Sequence, residues 1–272
     1  MRDETLDFII PVRHPDNMRN RKTAMATLRQ TVQSTLRQSK RTGKILIVSN
    51  PVDDLAYFES ECTIVLVDLP SNPNHDDPRG SKFFRKAVQR DKGLRLHAGL
   101  THSHATYIMP LDDDDFLHSN LAGFVLERPN SNGWFIEKGF HWTSGSKYLF
   151  PQNEFHRTCG SCHIVRQDLL KIAISSCDDL EEGITKMLGS HLHLINKCEL
   201  LGRALSPIPF RAAIKRRGHE NAHSQTGGMD LRLFVGYISK TARQAGLVQA
   251  TSQLLDVTTY KSQIKAFKLP PT

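Results

Sequence analysis

Tyr107-Ile108-Met109-Pro110-Leu111-Asp112-Asp113-Asp114-Asp115-Phe116 decides how the chain is read: an apolar run ends in four consecutive carboxylates, and apolar residues resume at once in Phe116-Leu117. The apolar run reads as a buried strand. A strand that runs straight into acidic residues places them at the carboxyl edge of a sheet, where α/β proteins bind ligands. Four like charges in four residues repel one another unless a cation sits among them, and oxygen ligands favour Mg²⁺, Mn²⁺ or Ca²⁺. A solvated acidic turn is the alternative, and the apolar flanks on both sides argue against it.

Upstream, residues 7–12 (Asp-Phe-Ile-Ile-Pro-Val) read as a strand buried on both faces, with Pro11 where it leaves the ladder. Ala24, Leu28, Val32 and Leu36, each four apart, predict an amphipathic helix over 18–38 that stops near Gly43. Residues 44–49 and 63–69 are further strands, the first ended by Asn50-Pro51. A polar loop over 70–80 leads to Ser81 as the N-cap of a helix with Phe83, Phe84, Ala87, Val88, Leu94, Ala98 and Leu100 on its apolar face. Strand, helix, strand, strand, helix, strand predicts an α/β fold: a mostly parallel central sheet flanked by helices.

Downstream, 133–137 reads as a strand, 139–150 as aromatic-rich strand and turn, and 169–174 and 180–194 as helical. Residues 211–218 are strongly basic, 223–228 form a small-residue linker, and 229–245 resume helical spacing. The tail from Lys261 is expected to fray.

At 272 residues the chain can bury a full-sized core. There is no run of eighteen apolar residues, and Met1-Arg2-Asp3-Glu4 lacks the apolar core of a signal peptide, so the expected location is cytoplasmic. Five cysteines at irregular spacing do not suggest a disulfide framework. A net charge of +8 suits an anionic substrate such as a nucleoside diphosphate, or a polyanionic surface such as nucleic acid or the inner membrane leaflet. Helix-turn-helix, zinc-finger and aromatic-basic motifs are lacking, so no stable nucleic-acid partner is expected.

This ordered pattern resembles the nucleotide-diphospho-sugar glycosyltransferases of the GT-A fold, in particular the broad family-2-like group. The resemblance rests on Phe8-Ile9-Ile10-Pro11-Val12-Arg13, Leu46-Ile47-Val48-Ser49-Asn50, Lys92-Gly93-Leu94 and the stretch 107–115. A weaker match, from Ile214 to Ser224, looks like the late His-x-x-Asn-x-Ser-type segment that completes the metal site in many members. It implies a GT-A-like domain over 1–228, with a nucleotide-sugar-binding half at 1–117 and an acceptor-side half at 118–228, followed by a helical extension over 229–272.

The implied activity is transfer of a sugar from a nucleotide-diphospho-sugar donor to a saccharide or lipid-linked acceptor, with peripheral contact to an anionic membrane surface as one setting. Charge developing on the leaving β-phosphate calls for a divalent cation, Mn²⁺ or Mg²⁺. Carried over residue by residue, the donor side takes Pro11, Arg13, Asn50, Lys92, Asp112 and Asp113, with Asp112 toward the ribose. Asp114, Asp115 and His219 would hold the metal, with His223 competing for the last place, and Lys215, Arg216 and Arg217 could neutralise the diphosphate. An inverting enzyme needs a base for the acceptor hydroxyl. The resemblance points to Asp179, with Asp178 as the alternative, although acidic residues at a helix start are also favoured by the helix dipole.

The chain departs from the pattern after the second strand, where Ser49-Asn50 stands in place of an acidic residue facing the nucleobase, and this leaves the base open. Cys159 and Cys162 with His156 and His163 read either as a zinc site or as strand and turn lining the acceptor pocket. Trp134 and Trp142 read as sugar-stacking or as core residues. Gly227-Gly228 suggests a lid. Besides the transferase, a catalytically silent nucleotide- or sugar-binding module fits the same residues.

Overall fold

The computed structural model describes residues 4–40, 42–219, 221, 234–236, 239 and 256–267. Strand β1 (Leu6–Pro11) lies between β2 (Ile45–Ser49) and β4 (Tyr107–Pro110), parallel to both, and β2 pairs in parallel with β3 (Thr63–Leu66). On the other side, β9 (His163–Arg166) runs antiparallel to β4 and to β6 (Gly133–Phe135), and β6 pairs in parallel with β10 (Ser206–Pro207). The mostly parallel sheet expected from the sequence is present, in the order β10-β6-β9-β4-β1-β2-β3.

Alternation along β1 explains why every residue of it is apolar or inward-facing: Leu6, Phe8 and Ile10 join one core, and Ile9 joins the other. Helix α1 (Arg21–Leu36) fills the first core through Met25, Leu28 and Val32. It begins where Asn20 accepts a hydrogen bond from the Thr23 amide at 3.0 Å. Helix α2 (Ser81–His102) covers the opposite face with Leu96 and Leu100. A Cβ at Gly99 would sit 2.4 Å from Ile9 Cγ2, so glycine lets α2 lie directly on β1. Phe83 is exposed and Phe84 and Ala87 are half-buried, so the apolar face expected along all of α2 packs only in its second half.

A second sheet has the order β12-β8-β7-β11-β5, built from β5 (Phe116–Leu117), β7 (Lys138–Thr143), β8 (Tyr148–Asn153), β11 (Ala213–Arg217) and β12 (Thr258–Thr259). The basic run expected at 211–218 is thus a strand held between β7 and β5. Between the sheets' strands lie α3 (Leu121–Leu126), α4 (Gln167–Ser175), α5 (Leu180–Met187) and α6 (Leu194–Leu200). The helical stretch expected over 180–194 ends at Met187, and the next helix starts only at Leu194. A Cβ at Gly189 would meet the Gln89 carbonyl at 2.0 Å, so the chain breaks where its backbone presses on α2.

Helix α7 (Tyr260–Phe267) corrects the expected fraying from Lys261: Tyr260 and Phe267 pack with Phe116, Phe140 and Trp142. Trp134 and Trp142 are core residues, 3% and 5% exposed. The linker at 223–228, the Gly227-Gly228 lid, His223 and most of 229–245 lie outside the described residues. Among the described residues no helix is long and apolar enough to cross a membrane.

Candidate functional site

Strands β1 and β4 end side by side, and the Leu111 amide still bonds the Ile9 carbonyl at 2.9 Å before the chain turns through the four aspartates. The loop Cys159-Gly160-Ser161 props this turn. Ser161 Oγ donates to Asp115 Oδ2 at 2.7 Å and accepts from the Asp112 amide at 2.8 Å, and Cys159 Sγ donates to Asp115 Oδ2 at 3.0 Å. From β11 the Arg216 amide donates to Asp115 Oδ1 at 3.1 Å. Asp115 is therefore an internal strut, 1% exposed, with both oxygens engaged by protein donors. Burial first, then the charges of Asp114 and Asp112, push its carboxyl up to about 8. The sequence reading made Asp115 a metal ligand, whereas the fold turns it away from its outward neighbours because the loop below the turn needs an acceptor.

The outward carboxylates meet cations. Asp114 Oδ2 lies 2.8 Å from His219 Nε2, two residues 105 apart in sequence. Burial alone would raise the Asp114 carboxyl, but the His219 hydrogen bond and the charges of His219, Arg13 and Arg216 outweigh it and leave it at about 2. Asp113 is raised to about 6 by burial and by Asp114 and Asp112, against the pull of Arg13 and His219. Lys92, from α2, pairs with Asp112. A cavity of about 100 Å³ opens here, lined by Pro11, Arg13, Lys92, Asp112, Asp113 and Asp114 together with Val88, Asp91 and Arg95. A wider cavity of about 440 Å³ shares Arg13 and Val88 with it and extends over the 72–76 loop.

Other predicted residues are placed elsewhere. Asn50 is 5% exposed, donates to the Leu69 carbonyl at 2.9 Å and accepts from Arg95 Nη2 at 2.8 Å, so it holds an arginine rather than facing the cavity. Lys215 Nζ donates to the Thr158 carbonyl, and Arg217 lies 3.3 Å from His141 Nδ1; neither lines the cavity by the aspartates. The Arg216 guanidinium turns to Thr27 and Gln30 beneath the rings of Phe116 and Trp142.

The candidate base is also not brought to the cluster. Asp179 caps α5 by accepting from the Glu182 amide at 2.9 Å, and it lines a cavity on the outer face of α2; Asp178 beside it is exposed. Cys159 and Cys162 are thiols raised above their ordinary range, by burial first and by Asp115 and Asp112 next, and their segment serves as the prop of the acidic turn. Among the described residues no three His, Cys, Asp or Glu side chains group as a metal site.

Two residues overlooked in the sequence, Asp91 and Arg95, stand inside the cavity lining. Their i,i+4 spacing on α2 was the available signal. Ser161 had none, since nothing local marks a serine that reaches a strand end 49 residues away.

A Cβ at Gly160 would lie 2.3 Å from Lys92 Nζ and 2.7 Å from Asp112 Oδ2. Both atoms end flexible side chains, so Gly160→Ala should cost under about 1 kcal/mol of stability yet part the Lys92–Asp112 pair. Its measurable sign is weaker nucleotide binding at an almost unchanged melting temperature; a large drop in melting temperature would show the loop itself to be strained.

His141 and His163 are 4% and 3% exposed. Burial first, then Arg217 and Lys215 at His141 and His191, His156 and Lys92 at His163, lower both to about 3. The unfolded chain binds these protons near pH 6.5, so between about 6.5 and 3 each histidine removes stability as pH falls, by up to about 1.4 kcal/mol per unit. Asp115 acts oppositely, its raised carboxyl losing stability as pH rises toward about 8. Comparison with His163→Asn in urea unfolding isolates one histidine. The variant's deficit should shrink from pH 7 to pH 4, and a constant deficit would contradict the assignment.

No protein-family model matches this chain, and no curated protein matches it. Among solved structures it is similar to S. aureus TarS 1-349, at 13% identity and a TM-score of 0.48, covering 78% of this chain and 60% of that one. The same protein in complex with UDP-GlcNAc aligns at 12% identity and a TM-score of 0.44, over 88% of this chain and 65% of that one. A CMP:2-keto-3-deoxy-manno-octonic acid synthetase complexed with CTP aligns at 8% identity and a TM-score of 0.42, over 89% and 99%. The chain thus spans about 60% of the length of the first of these structures.

Proposed function

We propose that this chain is a glycosyltransferase that uses a divalent cation to move a sugar from a nucleotide diphosphate donor to a saccharide or lipid-linked acceptor. The observation that carries the reading is the meeting of Asp114 and His219 at the carboxyl edge of β1 and β4, beside a cavity that also holds Arg13 and Lys92. A carboxylate and an imidazole are a sparse protein ligand set, which suits Mg²⁺ or Mn²⁺, since such ions commonly take one or two protein ligands and complete their shell with substrate phosphates and water. The buried His219 Nδ1 has no partner among the described residues, and Nε2 is the ring nitrogen turned to Asp114, where a shared cation would be bound. A bound cation would offset the negative charge that develops on the departing diphosphate.

The protein's own groups set the rest. Arg13 and Lys92 face the outward aspartates and bring positive charge to the diphosphate. Lys92 holds Asp112 in a fixed position at the strand end, and the cavity's narrowness orients what enters. Inversion at the sugar carbon would require a base near the acceptor.

That Asp179 lines a cavity on the outer face of α2, with Asp178 exposed beside it, favours a second reading, a nucleotide-binding protein without transfer activity. Melting the protein against a panel of nucleoside diphosphates, with and without Mn²⁺, tests the donor site. A cation-dependent rise with one nucleotide supports both readings, and release of free sugar or transfer from the matching nucleotide sugar selects the enzyme. No rise with any nucleotide would remove both.

A further inference from the structure

Arg95 is a buried cation of α2 that the donor reading above does not use. Its side chain is 1% exposed, and its Nε and Nη2 bind Asp91 at 2.9 to 3.1 Å while Nη2 also donates to Asn50 Oδ1 at 2.8 Å. Nη1 is buried and has no partner among the described residues. A buried guanidinium N–H left unpaired is costly, so its retention points to a partner that arrives from outside. Arg95 and Asp91 both line the 100 Å³ cavity, and Asn50 and the Asp91 carboxylate fix the guanidinium plane; Nη1 lies covered at the cavity wall, so a ligand that reaches it displaces a neighbouring side chain.

The chemistry of this doublet selects its ligand. Asp91 cancels the charge of Arg95, so a phosphate approaching Nη1 would also approach a carboxylate. A neutral edge that carries an acceptor beside an N–H donor meets no such penalty. Its acceptor takes the Nη1 hydrogen, and its N–H donates to a free lone pair of Asp91, whose oxygens each accept more than one bond. The Watson–Crick edge of a nucleobase is such an edge. Arg13, from the end of β1, lines the same cavity and stands in no ion pair with Asp91.

We infer that Arg95 and Asp91 together read the nucleobase of the donor, Arg95 as hydrogen-bond donor and Asp91 as acceptor. This rests on the nucleotide-donor reading and adds to it the residues that set base preference.

The test is titration calorimetry with Mn²⁺ present, using UDP, GDP, CDP, ADP, ribose 5-diphosphate and pyrophosphate on the wild-type protein. The best nucleoside diphosphate should bind about 100-fold tighter than ribose 5-diphosphate, the worth of two hydrogen bonds to charged groups. Equal affinity for the nucleotide and the base-free diphosphate would overturn the inference while leaving the donor reading intact. Binding of pyrophosphate alone would likewise overturn it and assign the doublet to phosphate. Absence of binding by any ligand would remove the donor reading and this inference together.

Two variants sharpen the result. Arg95→Lys, which keeps the charge opposite Asp91 but loses the planar fork, should lose about 10-fold for the preferred nucleotide and stay within about twofold for pyrophosphate. Asp91→Asn, which replaces an acceptor by an amide, should compress the spread among the four nucleotides. Equal losses for nucleotide and pyrophosphate in both variants would mark the pair as structural.

Discussion

Asp115→Ala should destabilise the protein by about 3 to 5 kcal/mol, because three buried donors lose their acceptor at about 1 to 3 kcal/mol each. The carboxylate ties three separate parts of the chain: the acidic turn itself, the 159–161 loop through Ser161 and Cys159, and β11 through the Arg216 amide. Removing it strands a buried hydroxyl and a buried amide and leaves a void beneath the turn. Asp115→Asn keeps the shape and one acceptor oxygen, and because the raised carboxyl already tends toward its neutral form, it should cost nearer about 1 kcal/mol. Urea unfolding followed by circular dichroism measures both. Equal and small losses would mean that the turn is held by its apolar flanks instead. If Asp115 were a ligand to a cation, the two variants would differ little in unliganded stability and both would lose cation-dependent binding.

Asp114→Ala and His219→Ala should each abolish the cation-dependent rise in melting temperature and lower any transfer rate by at least about a hundredfold, the usual cost of losing one group that stabilises developing charge. Because the two side chains meet at 2.8 Å and act on one ligand, their effects should not add, and the double variant should resemble either single one. Asp114 is held low, at about 2, by its cationic surroundings, so near neutral pH it is charged with or without a ligand. The losses should therefore appear as weaker cation affinity rather than as a shifted pH profile. Full additivity, or retention of cation dependence in the Asp114 variant, would detach this pair from the donor site.

The ordered first half was legible because its signals are local. Apolar runs such as Phe8-Ile9-Ile10 and Ile45 to Val48, and the four-residue spacing along α1, each specify an element from neighbouring residues alone. The second half was less legible. The strands β7, β8 and β11 carry His141, Gln152 and Arg216 inward, so their composition does not alternate cleanly, and the break at Gly189 is imposed by the Gln89 carbonyl of a distant helix.

The sequence by itself determined that four carboxylates follow a buried strand, and hence that a charged turn stands at the edge of an α/β sheet. Only tertiary structure decided what each carboxylate does. Asp112 pairs with Lys92 from α2, Asp114 with His219 from beyond β11, and Asp115 with Ser161 and Cys159 beneath the turn. Consecutive residues in a tight turn point in different directions, so each neighbour comes from a different, remote part of the chain. The same holds for Asn50, whose role depends on Arg95, 45 residues away. Local pattern can place a charge; which partner compensates it is a property of the packed fold.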